Sequence, residues 1–139
     1  MTPALIFSIC NSLVLPQWFL MIVAPKWNWT QKLVNSRIIP FLLALVYAFY
    51  VFQIFPSDEG GFGTFEDVMK LFTSETAVLI GWIHYLAFDL LIGSWVLITA
   101  QRKGIHHGLV IPCLLGCFLL GPVGFLVFWM MCKFKEASY

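Results

Sequence analysis

Asp89 is the residue of this sequence most able to do chemistry. It lies near the middle of the apolar stretch 76–100, which contains no lysine or arginine that could neutralise a carboxylate. Because a charge at the centre of a bilayer is costly, such a group usually faces protein or a cavity and serves a function. As a neutral acid, Asp89 could donate a proton or a hydrogen bond. The alternative is a buried hydrogen bond that joins two helices, which is common in membrane proteins.

Three other polar side chains are lesser candidates for catalysis. Tyr85 precedes Asp89 by four residues and shares its helix face, whereas His84 is five residues away and points about 140° from it. Asn11, in the first apolar stretch, reaches a similar depth when about 1.5 Å per residue is counted from the stretch ends. His84 is also the candidate pigment ligand, because an imidazole can ligate the metal of a haem or chlorophyll. A hydrogen bond within the protein is the alternative role for His84.

The same depth count places Tyr47 and the region 117–121 near the level of Asp89. Pro122 has no N–H to donate to the carbonyl of Phe118. This carbonyl is therefore a predicted acceptor for a protonated Asp89.

No metal site is predicted. Cys113 and Cys117 share a helix face, but no second cluster of ligands accompanies them. His106 and His107 would point about 100° apart on a helix, so we expect them to contact lipid headgroups or to cap the helix that follows. Serine-nucleophile, phosphate-loop and dinucleotide-binding motifs do not occur in the sequence.

The composition is that of an integral membrane protein. Hydrophobic residues make up 60% of the 139 residues and charged residues 11%, which is too little polar surface to cover a water-soluble globule. The mean hydropathy of +0.88 agrees. With a formal net charge of +1, the sequence lacks the strong excess of basic residues typical of nucleic-acid-binding proteins, so no nucleic-acid partner is expected.

Four apolar stretches approach the roughly 20 residues that a helix needs to cross a bilayer. They are residues 2–23, 38–54, 76–100 and 109–131. The sequence thus predicts an all-α fold, with residues 1–139 forming a single transmembrane domain arranged as an antiparallel four-transmembrane-helix bundle. Between the second and third spans, Thr64 and Asp67 have the spacing of a helix cap and predict a short interfacial helix over 65–72.

Charge is distributed unevenly among the connections. Basic residues lie in the first and third connections, and acidic residues dominate the second, which contains Asp58, Glu59, Glu66, Asp67 and Glu75. By the positive-inside rule, the first and third connections face the cytoplasm or its equivalent, and both termini face the opposite side. No lysine or arginine precedes the stretch 2–23, which favours a retained span over a secretory signal. A bacterial inner or photosynthetic membrane and an organelle membrane remain alternatives.

Several motifs resemble the abscisic-acid-deficient-4-like family, a group of small membrane proteins that includes the plant neoxanthin-deficient protein. They are HYLAFDLLIG at 84–93, GIHH at 104–107, PC at 112–113 and GPVGFL at 121–126. The resemblance implies a four-span bundle. From the plastid members it also implies a role in making neoxanthin from violaxanthin, in which a carotenoid epoxide opens to an allene. Such an isomerisation needs an acid near the epoxide oxygen and a base for one proton, without a redox cofactor.

Two functional hypotheses follow. The first is an accessory or structural subunit that packs against a larger photosynthetic or respiratory membrane complex and contacts lipid or pigment. The second is a carotenoid-modifying enzyme or enzyme partner, which would be an intramolecular isomerase. We expect no required cofactor; a carotenoid, a chlorophyll-type pigment and a lipid are the candidate ligands, and the bilayer and other membrane subunits are the candidate partners. Transport is disfavoured, because one carboxylate does not form a polar path.

Overall fold

All regular secondary structure is helical in the residues that the computed structural model describes, which are 2–54 and 61–137. Three helical stretches are long and apolar enough to cross a membrane: Pro3–Val23, Asn28–Ile54 and Glu75–Arg102. The all-α prediction is confirmed. Asp58 and Glu59, which belong to the predicted acidic connection, lie outside the described residues. In chain order the helices are α1 (Pro3–Val23), α2 (Asn28–Ser36), α3 (Ile38–Ile54), α4 (Phe65–Leu71), α5 (Glu75–Arg102), α6 (His107–Leu120) and α7 (Pro122–Ala137).

α5 is the central helix, and α1 runs beside it in the same direction. Toward the start of both helices, the Trp82 indole donates to the side-chain oxygen of Asn11 at 3.1 Å. Farther along, the Gln17 amide donates to the Ser94 hydroxyl at 3.0 Å. α3 packs on another side of α5. Both α1 and α3 therefore position side chains around the middle of α5.

The connection after α1 contains α2, a helix that the sequence analysis did not predict. Arg37 has a positive φ of 54° and separates α2 from α3. α2 is mostly polar, but it buries Thr30 and Val34. The Thr30 hydroxyl donates to the carbonyl of Ala24 at 2.7 Å, which ties α2 to the end of α1.

The predicted short helix between the second and third spans is confirmed as α4. Its cap is the predicted Thr64, whose hydroxyl oxygen accepts a hydrogen bond from the backbone N–H of Asp67 at 3.2 Å. This bond satisfies one of the amides that a helix start leaves without an intrahelical partner.

The predicted membrane span over 109–131 is not one continuous helix. The helix stops at Gly121, which has a positive φ of 40°. The chain then reverses into α7, and a Cβ added to Gly116 of α6 would lie 2.9 Å from the Cα of Gly124 in α7. At the far end of α7, Lys135 donates to the carbonyl of Lys103 at 2.7 Å. α6 and α7 therefore form a helical hairpin with its turn at Gly121.

Glycine and proline chemistry explains the reversal. A residue with positive φ suits glycine, and proline is well placed in the first turn of a new helix, because its missing N–H would have no partner there. Gly116 and Gly124 carry no side chains, so the two helix backbones can approach closely. The chain is thus broken completely between α6 and α7, and the described helices do not confirm a four-helix bundle.

The hairpin also separates the two ends of the described chain. Glu136, near the end of α7, pairs with Lys103 at the end of α5. Thr2 caps the opposite end of the bundle, since α1 and α5 run in the same direction. This arrangement disagrees with the prediction that both termini lie on one side.

We expect Thr2 and Glu136 to lie on opposite sides of the membrane. Cysteines introduced as Thr2→Cys and Glu136→Cys in separate variants should react with a membrane-impermeant maleimide from opposite faces of sealed vesicles. Arg102→Cys serves as the control, and it should label from the same face as Glu136→Cys. Labelling of Thr2→Cys and Glu136→Cys from the same face would contradict the hairpin.

Candidate functional site

Asp89 lies against the turn of the hairpin. Its side chain is 8% exposed, and a Cβ added to Gly121 would collide with its Oδ1 atom. About 20 Å of helix separates Asp89 from Arg102 at the end of α5, so Asp89 lies roughly halfway along this helix. The turn of the hairpin, which contacts Asp89, lies at the same level. The predicted proximity of the region 117–121 to Asp89 is confirmed.

One carboxylate oxygen of Asp89 has no hydrogen-bond partner among the described residues. Oδ2 is buried and accepts no hydrogen bond within the described part of the chain, and no ion pair involves Asp89 there. Gln17 also has a buried oxygen that accepts no hydrogen bond from the residues the structure describes, but its amide nitrogen donates to the Ser94 hydroxyl. A buried polar atom that makes no hydrogen bond costs about 1–3 kcal/mol. The geometry does not match a carboxylate whose oxygens are both satisfied by neighbouring helices.

Tyr85 lies one helical turn from Asp89 on the same face of α5. Its hydroxyl donates to the carbonyl of Leu119 at 2.9 Å and approaches that of Phe118 at 3.4 Å. The Phe118 carbonyl, which the sequence predicts as an acceptor for a protonated Asp89, is thus approached by the Tyr85 hydroxyl.

The Tyr85 bond has a clear physical reason. The last four carbonyls of a helix lack intrahelical partners, and a helix that ends inside a bilayer finds no water to replace them. α6 ends at this depth, and Tyr85 supplies a donor to its last turn. Irregular backbone at membrane depth is tolerated where protein covers it or where it lines a cavity. Gly121 itself is buried and meets this condition, whereas the residues on either side of it are exposed.

Asn11 is not in contact with Asp89. Its amide nitrogen donates to the carbonyl of Phe7 at 3.0 Å, and its oxygen accepts from Trp82. The Trp82 ring lies 5.5 Å from the Phe7 ring and 5.3 Å from the Tyr85 ring. Phe7, Trp82 and Tyr85 thus form an aromatic row that leads along α5 toward Asp89. Asn11 positions Trp82 in this row.

His84 points away from Asp89, as the helix geometry predicts. Its exposed ring stacks on Phe88 with 4.6 Å between ring centroids and lies 5.5 Å from the ring of Tyr47. Tyr47 therefore belongs to the His84 side of α5 rather than to the carboxylate. His84 makes no hydrogen bond to the described residues, so the predicted bond within the protein is not found there.

The two adjacent histidines hold the start of α6. His106 is the N-cap residue, and its Nδ1 accepts from the N–H of Gly108 at 3.2 Å, which confirms the predicted capping. His107 Nε2 lies 2.8 Å from the carbonyl oxygen of Ile22. The His107 contact links the start of the hairpin to the end of α1.

The assembled site is a buried carboxyl group beside a phenol, at a helix break and at the end of an aromatic row. Such a carboxyl group can give a proton to an oxygen and take one back when it lies within hydrogen-bonding reach. Phe7 and Trp82 of this row are exposed at the surface of the protein. The arrangement suits a long apolar molecule that carries an oxygen atom.

Comparison with known proteins identifies the relatives of this chain. The family model described as ABA DEFICIENT 4-like matches residues 5–128, a range that includes Tyr85, Asp89 and Gly121. Protein ABA DEFICIENT 4, chloroplastic, of Arabidopsis thaliana is 28% identical over 129 residues, which cover 86% of this chain and 56% of the relative. The chain thus spans little more than half the length of that curated relative. No solved structure matches it.

Proposed function

Because this chain belongs to the ABA DEFICIENT 4-like family, as its resemblance to that family predicted, we propose that it acts on an oxygenated carotenoid in a membrane. The reaction we propose is the isomerisation of a carotenoid epoxide to an allene. The observation that carries this proposal is the buried Oδ2 of Asp89, which has no partner within the described residues and lies at the turn of the hairpin.

Asp89 would act as the acid of this reaction. It gives its proton to the epoxide oxygen, the carbon–oxygen bond breaks, and the oxygen becomes a hydroxyl group. Loss of a proton from the neighbouring polyene carbon then forms the allene, and the carboxylate of Asp89 takes up that proton. Atoms and electrons balance without an oxidant or a reductant, and Asp89 returns to its starting form.

The neighbours of Asp89 have supporting roles in this proposal. Tyr85 holds the end of α6 through the Leu119 carbonyl. Phe7 and Trp82 would bind the flat polyene by ring contacts, since conjugated chains and aromatic faces are both apolar. Asn11 is a positioning residue, because it acts through Trp82.

The accessory-subunit hypothesis is the second candidate. The observation that favours it is His84, an exposed imidazole flanked by Phe88 and Tyr47 on the membrane side of α3 and α5. Such a group would ligate the metal of a chlorophyll-type pigment in a larger complex. Under this hypothesis the chain would hold a pigment without changing it.

Pigment analysis distinguishes the two candidates. We would express the chain in a bacterial host that accumulates violaxanthin and separate the extracted carotenoids by chromatography with mass detection. The enzyme hypothesis predicts a new allenic product with the mass of the substrate. An unchanged carotenoid profile, together with a pigment that copurifies with the wild-type chain and is lost in His84→Ala, would favour the accessory role.

A further inference from the structure

The fold collects basic side chains from three distant segments at one end of the molecule. The Gln101 amide at the end of α5 donates to the carbonyl of Pro25 at 3.1 Å, and Lys135 of α7 donates to that of Lys103. The segment around α2, the end of α5 and the end of α7 therefore meet. We refer to this region as the cationic end, which includes seven of the eight lysines and arginines: Lys26, Lys32, Arg37, Arg102, Lys103, Lys133 and Lys135.

Little negative charge opposes this cluster. Glu136 is the acidic residue at this end of the described chain, and it pairs with both Lys103 and Lys133. These two lysines hold the pKa of Glu136 below its usual range, chiefly through hydrogen bonds. Lys26 and Arg102 have no acidic partner within the described residues. The cationic end thus carries an excess of positive charge at its surface.

Tryptophans accompany the lysines at two places on this end. On α2, the Lys32 ammonium lies 5.1 Å from the centroid of the Trp29 ring. On α7, the Lys133 ammonium lies 5.9 Å from that of the Trp129 ring. All four side chains are exposed. Tryptophan and lysine side chains are enriched together where hydrocarbon meets lipid headgroups. This pairing favours a lipid over a soluble anion, because a soluble anion would leave the indoles uncovered.

The opposite end of the molecule is acidic. Glu66, Asp67 and Glu75 lie there, with Lys70 as the one basic residue of the described chain at that end. The two ends of the molecule therefore have opposite charge, and the hairpin increases the difference by returning Lys133 and Lys135 to the basic side.

We propose that the cationic end binds the anionic headgroups of glycerolipids, with one contact surface on α2 and a second on the end of α7. The headgroup supplies a phosphate or sulfonate to the lysines and arginines, and the acyl chains cover the indole rings. Basic residues near an anionic membrane surface attract it with about 1 kcal/mol each, which corresponds to about a fivefold change in affinity for each residue. This inference is independent of the reaction proposed for Asp89.

Lipid retention tests the proposal. The wild-type chain, reconstituted in nanodiscs that contain equal amounts of phosphatidylglycerol and phosphatidylcholine, would be released in a mass spectrometer and its retained lipids counted. We expect phosphatidylglycerol to be retained several-fold over phosphatidylcholine. The affinity for phosphatidylglycerol should fall by about 25-fold when Lys26→Gln and Lys32→Gln are combined, which would abolish the enrichment. The enrichment shown by the wild-type chain should also weaken as salt is raised.

Lys70→Gln is the matched control, because it removes the same charge from the opposite end and should leave the enrichment unchanged. Circular dichroism and gel filtration would confirm that each variant is folded. Equal retention of the two lipids by the wild-type chain would overturn the proposal. The cationic end would then be better explained as a binding surface for an acidic protein partner. An equal loss in Lys70→Gln and in the double variant would also overturn it, since net charge alone would then explain the retention.

Discussion

Asp89→Asn is expected to lower the proposed isomerisation by about 100-fold or more while leaving the fold intact. General acid–base catalysis contributes about 10² to 10⁴ in rate, and an amide can neither give up nor take back the proton that the reaction moves. Asparagine has nearly the volume of aspartate, so the close contact with Gly121 should persist. The rate of product formation in membranes that contain the variant, normalised to folded protein, measures the effect.

Glu75→Gln provides the control for this experiment. It makes the same carboxylate-to-amide change on the same helix, but at an exposed position in the first turn of α5, and it should not alter the rate. If Asp89→Asn retained most of the activity, Asp89 would serve as a hydrogen-bond donor or as a structural link between helices. That outcome would refute proton transfer by Asp89.

The central position of Asp89 could be predicted because it depends on local sequence. Its distance from both ends of an apolar stretch gives its depth, and the spacing of four residues gives its pairing with Tyr85. The same reasoning correctly directed His84 to another face of α5. These inferences need only the geometry of one helix.

The hairpin could not be predicted in this way. The stretch 109–131 has the length and polarity of one span, and two half-length helices with an apolar turn give the same hydropathy pattern. What separates them is the close packing of α6 on α7, which depends on which glycines meet in space. The role of Tyr85 was missed for the same reason, because the Leu119 carbonyl lacks its helical partner only if α6 stops.

α2 illustrates a second limit. Its composition is polar, so the hydrophobic pattern does not distinguish a helix from a loop. The helix is stabilised by tertiary contacts that the sequence does not display, such as the buried Val34 and the Thr30 bond to the carbonyl of Ala24. Most helical stability in proteins comes from such packing rather than from intrinsic propensity.

Gly124→Ala is expected to disrupt the hairpin and to lower the free energy of unfolding by about 3 kcal/mol, the upper part of the range for overpacking. A Cβ at this position would meet the backbone atoms of Cys113, Gly116 and Cys117 rather than the end of a flexible side chain. Because backbone cannot move aside without separating α6 from α7, the turn would also shift away from Asp89. Unfolding in mixed micelles with increasing SDS, followed by circular dichroism, measures the loss.

Gly63→Ala is the matched control for the hairpin, since the nearest atom to its added Cβ would be a carboxylate oxygen of Asp67 at an ordinary 3.8 Å. We expect this variant to unfold at nearly the wild-type SDS fraction. If Gly124→Ala cannot be produced in folded form, Gly116→Ala tests the same contact from the α6 side. Equal stability of the Gly116, Gly124 and Gly63 variants would show that α6 and α7 do not pack against each other. The carboxylate of Asp89 would then have no helix break beside it, and the arrangement on which its proposed role as an acid depends would be lost.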